Sequence, residues 1–349
     1  MISVEFALLQ RRKNMRKDLF KGLLGSLLSL SDEQLDLLLS AAHERRQMNQ
    51  GTQALESSRA GLGCPHCAAQ STVKNGHSAG LQRYCCRSCG KSFNAATNTP
   101  LSRLRNKERF FQMGECLRKG LTLKECAKEL GVAESTALRL RHRFLSAVVT
   151  HQPKELTGLV EADATYFRES QKGSRKLIAR GTTSLVRKAR SRGGKPKSLS
   201  RLGKSASRKD LVPVLVGRLR GQPHVADKVL QAMNKSQAVD ALKSWTGPDT
   251  FLCTDGSGTL RQAAAELHLA SKHVPVSYPS SGKEQIYHVQ SVNRYHEVLK
   301  TWINRELRGV STKYLPNYLA WMRMRQWFKN DLRPEHFIIS GVGKQIINT

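Results

Sequence analysis

The sequence predicts a mixed α/β domain that follows a small cysteine-rich module and an all-helical module. Three observations lead to this fold class. Beyond residue 150, strand-like runs alternate with helical periods. Before it, cysteines recur in spaced pairs within residues 61–99, and apolar residues recur at helical spacing within residues 100–150. A chain of 349 residues is long enough for two or three such domains.

The charge balance narrows the classes of partner. Lys and Arg number 58 against 27 Asp and Glu, a formal net charge of +31. Such an excess repels itself in a compact fold, and its neutralisation on phosphates drives binding to nucleic acid. Nucleic acid is the favoured partner, although composition alone leaves a ribosome-associated or membrane-surface protein open. No stretch approaches the ~20 apolar residues of a membrane span, so we expect a cytoplasmic protein with no membrane partner.

Residues 1–60 are expected to form a basic, helical segment. Ser31 and Gln34 fit the two ends of a helix capping box, and leucines follow at helical spacing. A polar stretch from Gln47 to Ala60 is expected to end that helix. The sequence assigns this segment no role beyond assistance in DNA binding or dimerisation.

Two Cys-x-x-Cys pairs mark residues 61–99. Eighteen residues separate the pairs, a spacing typical of zinc ribbons, in which tight turns aim four thiolates at one ion. A redox pair and a chance arrangement are the alternatives. Cys85 leaves the register open by one residue, but only Cys86 keeps the Cys-x-x-Cys spacing. The predicted ligands of one structural zinc ion are Cys64, Cys67, Cys86 and Cys89.

Within residues 100–150, a predicted helix, a glycine turn and a second helix follow one another. The first helix covers Leu121–Leu130, Gly131 makes the turn, and the second helix continues past Phe144. This order matches the helix-turn-helix, whose second helix enters the major groove of DNA; a plain helical hairpin is the alternative. The predicted base-reading residues are Glu134, Ser135, Thr136 and Arg139, while Arg141, His142 and Arg143 are expected to contact phosphate or solvent.

The α/β domain is predicted over residues 151–330. Strands are expected over 156–167, 211–219, 224–231, 250–254 and 273–277, and helices over 236–245, 260–269 and 288–307. Residues 331–349 are expected to be a C-terminal tail.

A basic insert at residues 171–210 interrupts this domain. Residues 172–209 hold fourteen Lys or Arg and no acidic residue, mixed with Gly, Ser and Pro. Such a block is either a loop on DNA phosphates or an ordinary solvated loop, and the charge of the whole chain favours DNA. Its candidate DNA contacts are Arg187, Lys188, Arg190 and Arg192.

Acidic and amide residues in three elements indicate a catalytic site. Glu161 and Asp163 are two residues apart, so both project from one face of the first predicted strand. Carboxylates in an apolar strand are costly unless they bind a metal or pair with a cation. Asp255 ends a later strand. A helix follows with Asn293, His296, Glu297 and Lys300 on one face.

Together these motifs carry a resemblance to a known family. The segments Val160–Tyr166, Cys253–Gly256 and His288–His296, with Lys300 and Gly309–Leu315, resemble the bacterial zinc-ribbon insertion-sequence transposases of the DDE superfamily. They are most similar to the ISXO-like group, in which asparagine occupies the third acidic position and a lysine follows seven residues on. The resemblance covers residues 60 to 325 and implies a ribonuclease H-like fold.

The resemblance implies Asp163, Asp255 and Asn293 as the catalytic set, with Lys300 as the associated basic residue. It implies two divalent ions, Mg²⁺ or Mn²⁺, which stabilise the entering and leaving oxygens while DNA is cut and joined. Because asparagine carries no charge, Glu297 could complete the metal site in place of Asn293, or Glu297 or Glu161 could supply an auxiliary carboxylate. For Glu161, a rim carboxylate paired with Lys or Arg is the favoured interpretation.

The partner implied is double-stranded DNA, both the terminal inverted repeats of the element and the target. Pairing two ends implies at least a homodimer. Two alternatives stay open: a DNA-binding regulator without catalysis, and a degenerate transposase that binds but does not cut. The second rests on Ala164, which stands where relatives often carry another acidic residue.

Overall fold

The computed structural model describes residues 16–59, 61–78, 80–104, 109–174, 211–274 and 286–342, without the side chains of residues 43, 44, 47 and 48. The chain divides into two compact units, residues 1–50 and 51–349. Most of the basic insert lies outside the described residues, and so do its four candidate DNA contacts, Arg187, Lys188, Arg190 and Arg192.

Helices form the described N-terminal part of the chain. Helix α1 spans Lys17–Ser26, and α2 spans Asp32–Arg59. The capping box is confirmed, because the Gln34 backbone N–H donates to Ser31 Oγ at 3.3 Å and the Ser31 N–H donates to Gln34 Oε1 at 3.0 Å. The expected break after Gln47 is wrong. The last turns of α2 are retained as helix because they bury apolar side chains such as Leu55 in the core of the second unit.

A three-stranded antiparallel sheet carries the paired cysteines. Its strands, in the order β1-β2-β3, are Thr72–Ser78, Leu81–Cys86 and Ser92–Phe93. The end of α2 supports this sheet, since Glu56 accepts a hydrogen bond from the Gln82 backbone N–H at 2.7 Å and the Arg59 guanidinium lies over the Phe93 ring. A module this small buries too little apolar surface to be stable without such support.

Three helices form the next module: α3 over Arg109–Lys119, α4 over Leu123–Glu129 and α5 over Glu134–Val148. Thr122 and Glu125 make a capping box at the start of α4. Gly131 has a φ of 60°, a left-handed conformation that lets the chain turn sharply between α4 and α5.

A five-stranded mixed sheet forms the predicted α/β domain. Its strands are β4 (Gly158–Arg168), β5 (Leu211–Leu219), β6 (Val225–Val229), β7 (Thr250–Asp255) and β8 (Ala270–Val274), in the spatial order β6-β5-β4-β7-β8. Strand β5 is antiparallel to β4 and β6, whereas β7 and β8 are parallel to β4. The mixed α/β fold class is confirmed. The last strand lies earlier than predicted, and residues 275–277 are outside the described part.

Five further helices accompany the sheet in the described residues. They are α6 (Lys235–Lys243), α7 (Gly258–Glu266), α8 (Gln290–Thr301), α9 (Leu315–Phe328) and α10 (Pro334–Gly341). Helix α8 continues into a π-helical turn, Trp302–Glu306. No helix in the described ranges is both long enough and apolar enough to cross a membrane.

The two faces of the sheet meet different helices. Val160 and Ala162 on β4 pack into the cluster that contains α6 and α7. Phe167 packs into the cluster that contains α8 and α9. Because side chains alternate along a strand, Glu161 and Asp163 share the face of Phe167. The candidate catalytic residues of β4 therefore face α8.

Residues 332–342 belong to the core, so the expected C-terminal tail is wrong for this part of residues 331–349. Helix α10 packs against α3 and α5, with Phe337 and Ile338 buried. The apolar run Phe337–Ile339 is the signal that indicates a packed helix. Residues 343–349 lie outside the described part.

One apolar core joins the three-helix module to the sheet through α8, α9 and α10. Arg323 on α9 links the same parts by polar contacts. Its guanidinium donates to the Val149 carbonyl at 3.0 Å and to the Asp227 carboxylate on β6 at 2.5 Å. The end of α5 is thereby attached to the edge strand of the sheet.

Substitution of Gly114 by alanine tests the packing of α10 on α3. Alanine in a helix is normally about 1 kcal/mol more favourable than glycine. At Gly114, however, a Cβ would lie 2.6 Å from the Pro334 carbonyl oxygen. We expect Gly114→Ala to lower the free energy of unfolding by about 1–3 kcal/mol, as overpacking does, in urea denaturation.

Gly22 provides the control, because it lies in α1 and a Cβ added there would have no atom within 4 Å. Gly22→Ala is expected to leave stability unchanged or raise it. A Gly114→Ala variant as stable as the parent would mean that α10 does not pack there.

Candidate active site and metal centre

Asp163 and Asp255 stand side by side on neighbouring parallel strands. In the register of β4 and β7, Ala162 lies opposite Thr254, so Asp163 and Asp255 follow at the next level, on the face toward α8. Neighbouring strands are about 4.8 Å apart. The parallel pairing thus brings together two carboxylates that are far apart in the sequence.

The surroundings of Asp163 disfavour its charge. Burial and the negative charge of Asp255 raise the pKa of Asp163 to about 6. The Ala164 backbone N–H, which donates to Asp163 Oδ1 at 2.7 Å, and the charge of Lys300 act in the opposite direction. A divalent cation between the two carboxylates would relieve this repulsion, and carboxylate oxygens are the ligands that Mg²⁺ and Mn²⁺ prefer.

Helix α8 runs along β4 in the same direction. Its first turn meets Glu161, where the Ser291 N–H donates to Oε2 at 2.8 Å, and its middle meets Asp163, where His296 Nδ1 lies 3.6 Å from Oδ2. Two strand residues advance by about 6.6 Å, and four or five helix residues by about 6 to 7.5 Å. The helix and the strand therefore advance by the same distance between the two contacts.

His296 and Lys300 are the α8 side chains that bear on the charge of the site. Burial and the nearby charge of Lys300 lower the pKa of His296 to about 4. His296 is therefore neutral at pH 7 and forms no ion pair with Asp163. The positive charge beside the two aspartates comes from Lys300.

Asn293 and Lys300 lie two turns apart along one stripe of α8, and both are exposed. Seven residues span about 10.5 Å of helix, so these side chains flank the level of His296. Glu297 is turned about 100° beyond His296, away from the buried face of α8. It lines a separate surface pocket with Thr301 and Glu306, which speaks against its role as an auxiliary ligand.

The expected pairing of Glu161 with a cation is confirmed, since Arg220 is its partner, but the expected position at the rim is wrong. The carboxylate of Glu161 is fully buried. It accepts hydrogen bonds from the backbone N–H groups of Ser291 and Val292, at 2.8 and 3.1 Å, and from Arg220 Nε at 2.7 Å. The N-cap of α8, Val289, supplies no side-chain cap. Glu161 therefore caps α8 from the strand beneath it.

Arg220 is a site residue that the sequence does not reveal. It follows β5, and its guanidinium donates to Glu161 and to the carbonyl oxygens of Ile286 and His288. It thereby attaches the segment that leads into α8 to the sheet. A glutamate within an apolar strand indicates that some cation lies opposite, but with 58 Lys and Arg in the chain the pattern does not say which.

The four cysteines of the predicted zinc ribbon converge. Cys64 Sγ lies 3.7 Å from Cys89 Sγ, Cys67 Sγ lies 3.6 Å from Cys86 Sγ, and all four sulfurs lie within 4.8 Å of one another. A tetrahedral zinc ion with Zn–S bonds of about 2.3 Å sets sulfur–sulfur distances of about 3.8 Å. The cluster could therefore hold a zinc ion. In the described ranges, no other group of three or more His, Cys, Asp or Glu is suited to a metal.

Two similar turns present these sulfurs. Ala68 and Gly90, which follow the second cysteine of each pair, have φ values of 60° and 69° and donate their N–H groups to the Cys64 and Cys86 carbonyls. Hydrogen bonds from backbone N–H groups lower the pKa of Cys86, which favours its thiolate, while the neighbouring cysteine side chains raise the pKa of Cys67. Cys85 Sγ lies 3.6 Å from the Gly90 carbonyl instead, so the register through Cys86 holds.

On α5, the side chains of Glu134, Ser135, Arg139 and Arg143 are exposed and Thr136 is half-buried. Arg141 is only 1% exposed. It donates to the carbonyls of Leu121 and Thr122 at 2.8 and 3.0 Å, and it lies over the Trp321 ring.

The expectation that Arg141 contacts phosphate is therefore wrong, because its guanidinium holds the start of α4 against α5. His142 is likewise buried, and its ring stacks on the Tyr314 ring with 3.6 Å between the ring centres. The helical period contains the signal: Arg141 is four residues beyond the buried Ala137 and four before the buried Leu145.

Comparison with known proteins bears on the larger part of the chain. Residues 155–326 match the profile of the ISXO2-like transposase domain. A Halobacterium salinarum protein described as an uncharacterized protein in transposable element ISH50 is 26% identical over 272 residues, which cover 77% of this chain and 86% of that protein. These two findings support an insertion-sequence transposase.

Two solved structures show weak similarity. A chain in the simian T-cell lymphotropic virus intasome with PP2A regulatory subunit B56 gamma is 12% identical over 61% of this chain and 68% of its own, with a TM-score of 0.27. A chain of the Mos1 strand transfer complex is 14% identical over 68% of this chain and 79% of its own, with a TM-score of 0.21. Structural similarity this low supports no statement about the fold or the function of the present chain.

Glu161 offers a test of the α8 attachment. Glu161→Gln removes the counter-charge of the half-buried Arg220, and a hydrogen bond to a charged group contributes about 1.5–3 kcal/mol. We expect the free energy of unfolding in urea to fall by about that amount. Glu297→Gln, an exposed carboxylate on α8 itself, should change it by less than about 0.5 kcal/mol. Equal effects of the two substitutions would contradict the capping role.

The cysteine cluster predicts one bound zinc ion per chain after dialysis, measured by elemental analysis of the purified protein. Cys89→Ser removes one of four ligands and is expected to abolish stoichiometric zinc. Cys85→Ser is the matched control, because Cys85 neighbours a ligand but points away from the cluster. Zinc retained in Cys89→Ser, or lost in Cys85→Ser, would refute the ligand set.

Proposed function

We propose that the chain is a DDE-type transposase that binds the terminal inverted repeats of its element, cuts the DNA there and joins the freed ends to target DNA. The match over residues 155–326 and the relative from a transposable element support the proposal. The catalytic domain is proposed to be ribonuclease H-like, an interpretation supported by the strand order β6-β5-β4-β7-β8 with β5 antiparallel. The proposed modules of the chain are a zinc ribbon (61–99), a helix-turn-helix (100–150) and the catalytic domain (151–330).

One observation carries the catalytic assignment: Asp163 and Asp255 occupy neighbouring positions on parallel strands, with the pKa of Asp163 raised by burial and by Asp255. We assign Asp163, Asp255 and Asn293 as the residues that hold divalent ions, Mg²⁺ or Mn²⁺, two in number. Two bound ions would stabilise the charge on the entering and leaving oxygens of the phosphodiester. The neutral amide of Asn293 makes this set one charge poorer than three carboxylates.

The other residues of the site attract the DNA phosphate or hold α8 in position. Lys300 provides a positive charge beside the aspartates and is suited to a DNA phosphate. Neutral His296 fills the space between α8 and Asp163. Glu161 and Arg220 keep α8 in register with β4, so that Asn293 and Lys300 stay at the level of the carboxylates.

The N-terminal modules are proposed to recognise DNA. The exposed start of α5 is suited to the major groove, with Glu134, Ser135, Thr136 and Arg139 as the base readers expected from the sequence. The zinc ribbon contributes to choosing the DNA and takes no part in the chemistry. Bringing two element ends together requires at least a homodimer. The contribution of Arg187, Lys188, Arg190 and Arg192 remains a proposal from the sequence.

The test is cleavage and strand transfer on a duplex that carries the terminal repeats, in Mg²⁺. Asp163→Asn and Asp255→Asn keep the side-chain shape and are expected to lower both rates by more than about 100-fold, because even residues behind a metal ligand can cost about 10- to 100-fold. Repeat binding should persist. Glu266→Gln, on α7 at the opposite face of the sheet, is the control with unchanged rates.

The outcomes separate the alternatives. A parent chain that binds the repeats but never cuts in Mg²⁺ or Mn²⁺ would be a regulator or a degenerate transposase. An Asp163→Asn variant that cuts as fast as the parent would place the catalytic site elsewhere.

A further inference from the structure

A groove borders α5 on the side of Arg103, Leu104 and Arg109. Its lining contains four arginines, Thr136 and the apolar residues Leu104, Val132 and Leu140. We call it the arginine groove; its arginines are Arg103, Arg109, Arg139 and Arg143. Arg103 and Arg109 have no part in the zinc cluster, the catalytic site or the helical core described above.

The four guanidinium groups have no counter-charge among the described residues that line the groove. Arg143 donates to the Ser102 carbonyl at 2.7 Å. For Arg103, Arg109 and Arg139, the described part of the chain offers neither a carboxylate nor a carbonyl as partner. Four like charges along one groove repel each other, and an anion bound between them would remove that repulsion.

The backbone beside the groove is strained. Arg103 has a φ of 57°, a left-handed conformation that costs a residue with a side chain about 1–2 kcal/mol. The bond from Arg143 to Ser102 holds this turn in place. The turn thereby positions Arg103 in the lining of the groove.

We propose that the arginine groove binds the phosphodiester backbone of DNA, next to the major groove entered by the start of α5. The proposal rests on the proposed function and assigns a residue-level task within it. Guanidinium groups match phosphate oxygens in a bidentate fork. Backbone contacts set the register of a protein on DNA but carry no sequence information.

The proposal changes the task of Arg139. As a member of the groove, Arg139 contacts phosphate, and sequence reading falls to Glu134, Ser135 and Thr136 at the start of α5. Removing a groove arginine therefore weakens binding to every DNA equally, whereas replacing Glu134 or Ser135 changes the preference between sequences.

The experiment measures binding of the full chain to a terminal-repeat duplex and to a scrambled duplex of equal composition, over a salt series. Each lost phosphate contact lowers the slope of log K against log salt by about 0.9 and the affinity near 0.1 M salt by about tenfold. We expect this change for Arg103→Ala, Arg109→Ala and Arg139→Ala, with equal losses on both duplexes. Arg109→Lys should keep the parent slope.

Arg118→Ala is the matched control. Arg118 lies on α3 like Arg109, is 40% exposed, and pairs with Glu115, so the slope should not change. Unchanged slopes for Arg103→Ala and Arg109→Ala, with a parent chain that binds DNA, would overturn the groove and leave the proposed function intact. A selective loss of repeat preference in Arg139→Ala would overturn the backbone assignment.

Different outcomes would contradict the proposed groove and the proposed catalytic activity. Expected slope changes in a chain that never cleaves DNA would support the groove while refuting the catalytic proposal. A parent chain that binds neither duplex would overturn both. Binding of an acidic peptide more tightly than either duplex, with the same dependence on Arg103 and Arg109, would overturn DNA as the occupant.

Discussion

The candidate active site depends on the contact between Glu161 and the first turn of α8. A buried carboxylate is costly in an apolar strand unless donors replace the lost water. Here the N–H groups of Ser291 and Val292 and the guanidinium of Arg220 supply those donors. The helix gains the cap it lacks, and the strand gains a partner for its charge. Two residues further along β4, Asp163 meets α8 again at His296. These two contacts fix both the level and the rotation of the helix, and with them the positions of Asn293 and Lys300.

Arginines serve two opposite purposes in this chain. Arg141 and Arg323 are each 1% exposed and bind backbone carbonyls, and Arg323 also binds the Asp227 carboxylate. They join the three-helix module, α9 and the sheet. Their guanidinium groups are therefore bound inside the protein and are not available at its surface. The arginines of the groove beside α5 are exposed or half-buried, and within the described residues only Arg143 has a hydrogen-bond partner. Net charge alone therefore overstates the surface that is available to DNA. The helical period, which puts Arg141 with the buried residues of α5, separates the two groups better than composition does.

Local patterns predicted most elements, because cysteine spacing, capping boxes and strand alternation each act over a few residues. The resemblance to transposases singled out Asp163 and Asp255, and the parallel register of β4 and β7 explains how they can meet. The errors share one cause: they concern residues whose state is decided by a distant partner. Leu55 keeps α2 helical by packing in a core formed much later in the chain. Glu161 is bound by Arg220, and Arg141 by the start of α4. No pattern around these residues names the segment that meets them.

The packing of α10 has a consequence for the order in which the chain acquires its structure. Synthesis delivers α3 and α5 early, but Phe337 and Ile338, which fill the space beside them, come after the whole mixed sheet. Domains of a growing chain generally fold as they emerge. The three-helix module cannot complete its core in that way, since its last contributors leave the ribosome after the strands of the mixed sheet. During translation, the surface around α5 therefore reaches its final form only when the five-stranded sheet is already present.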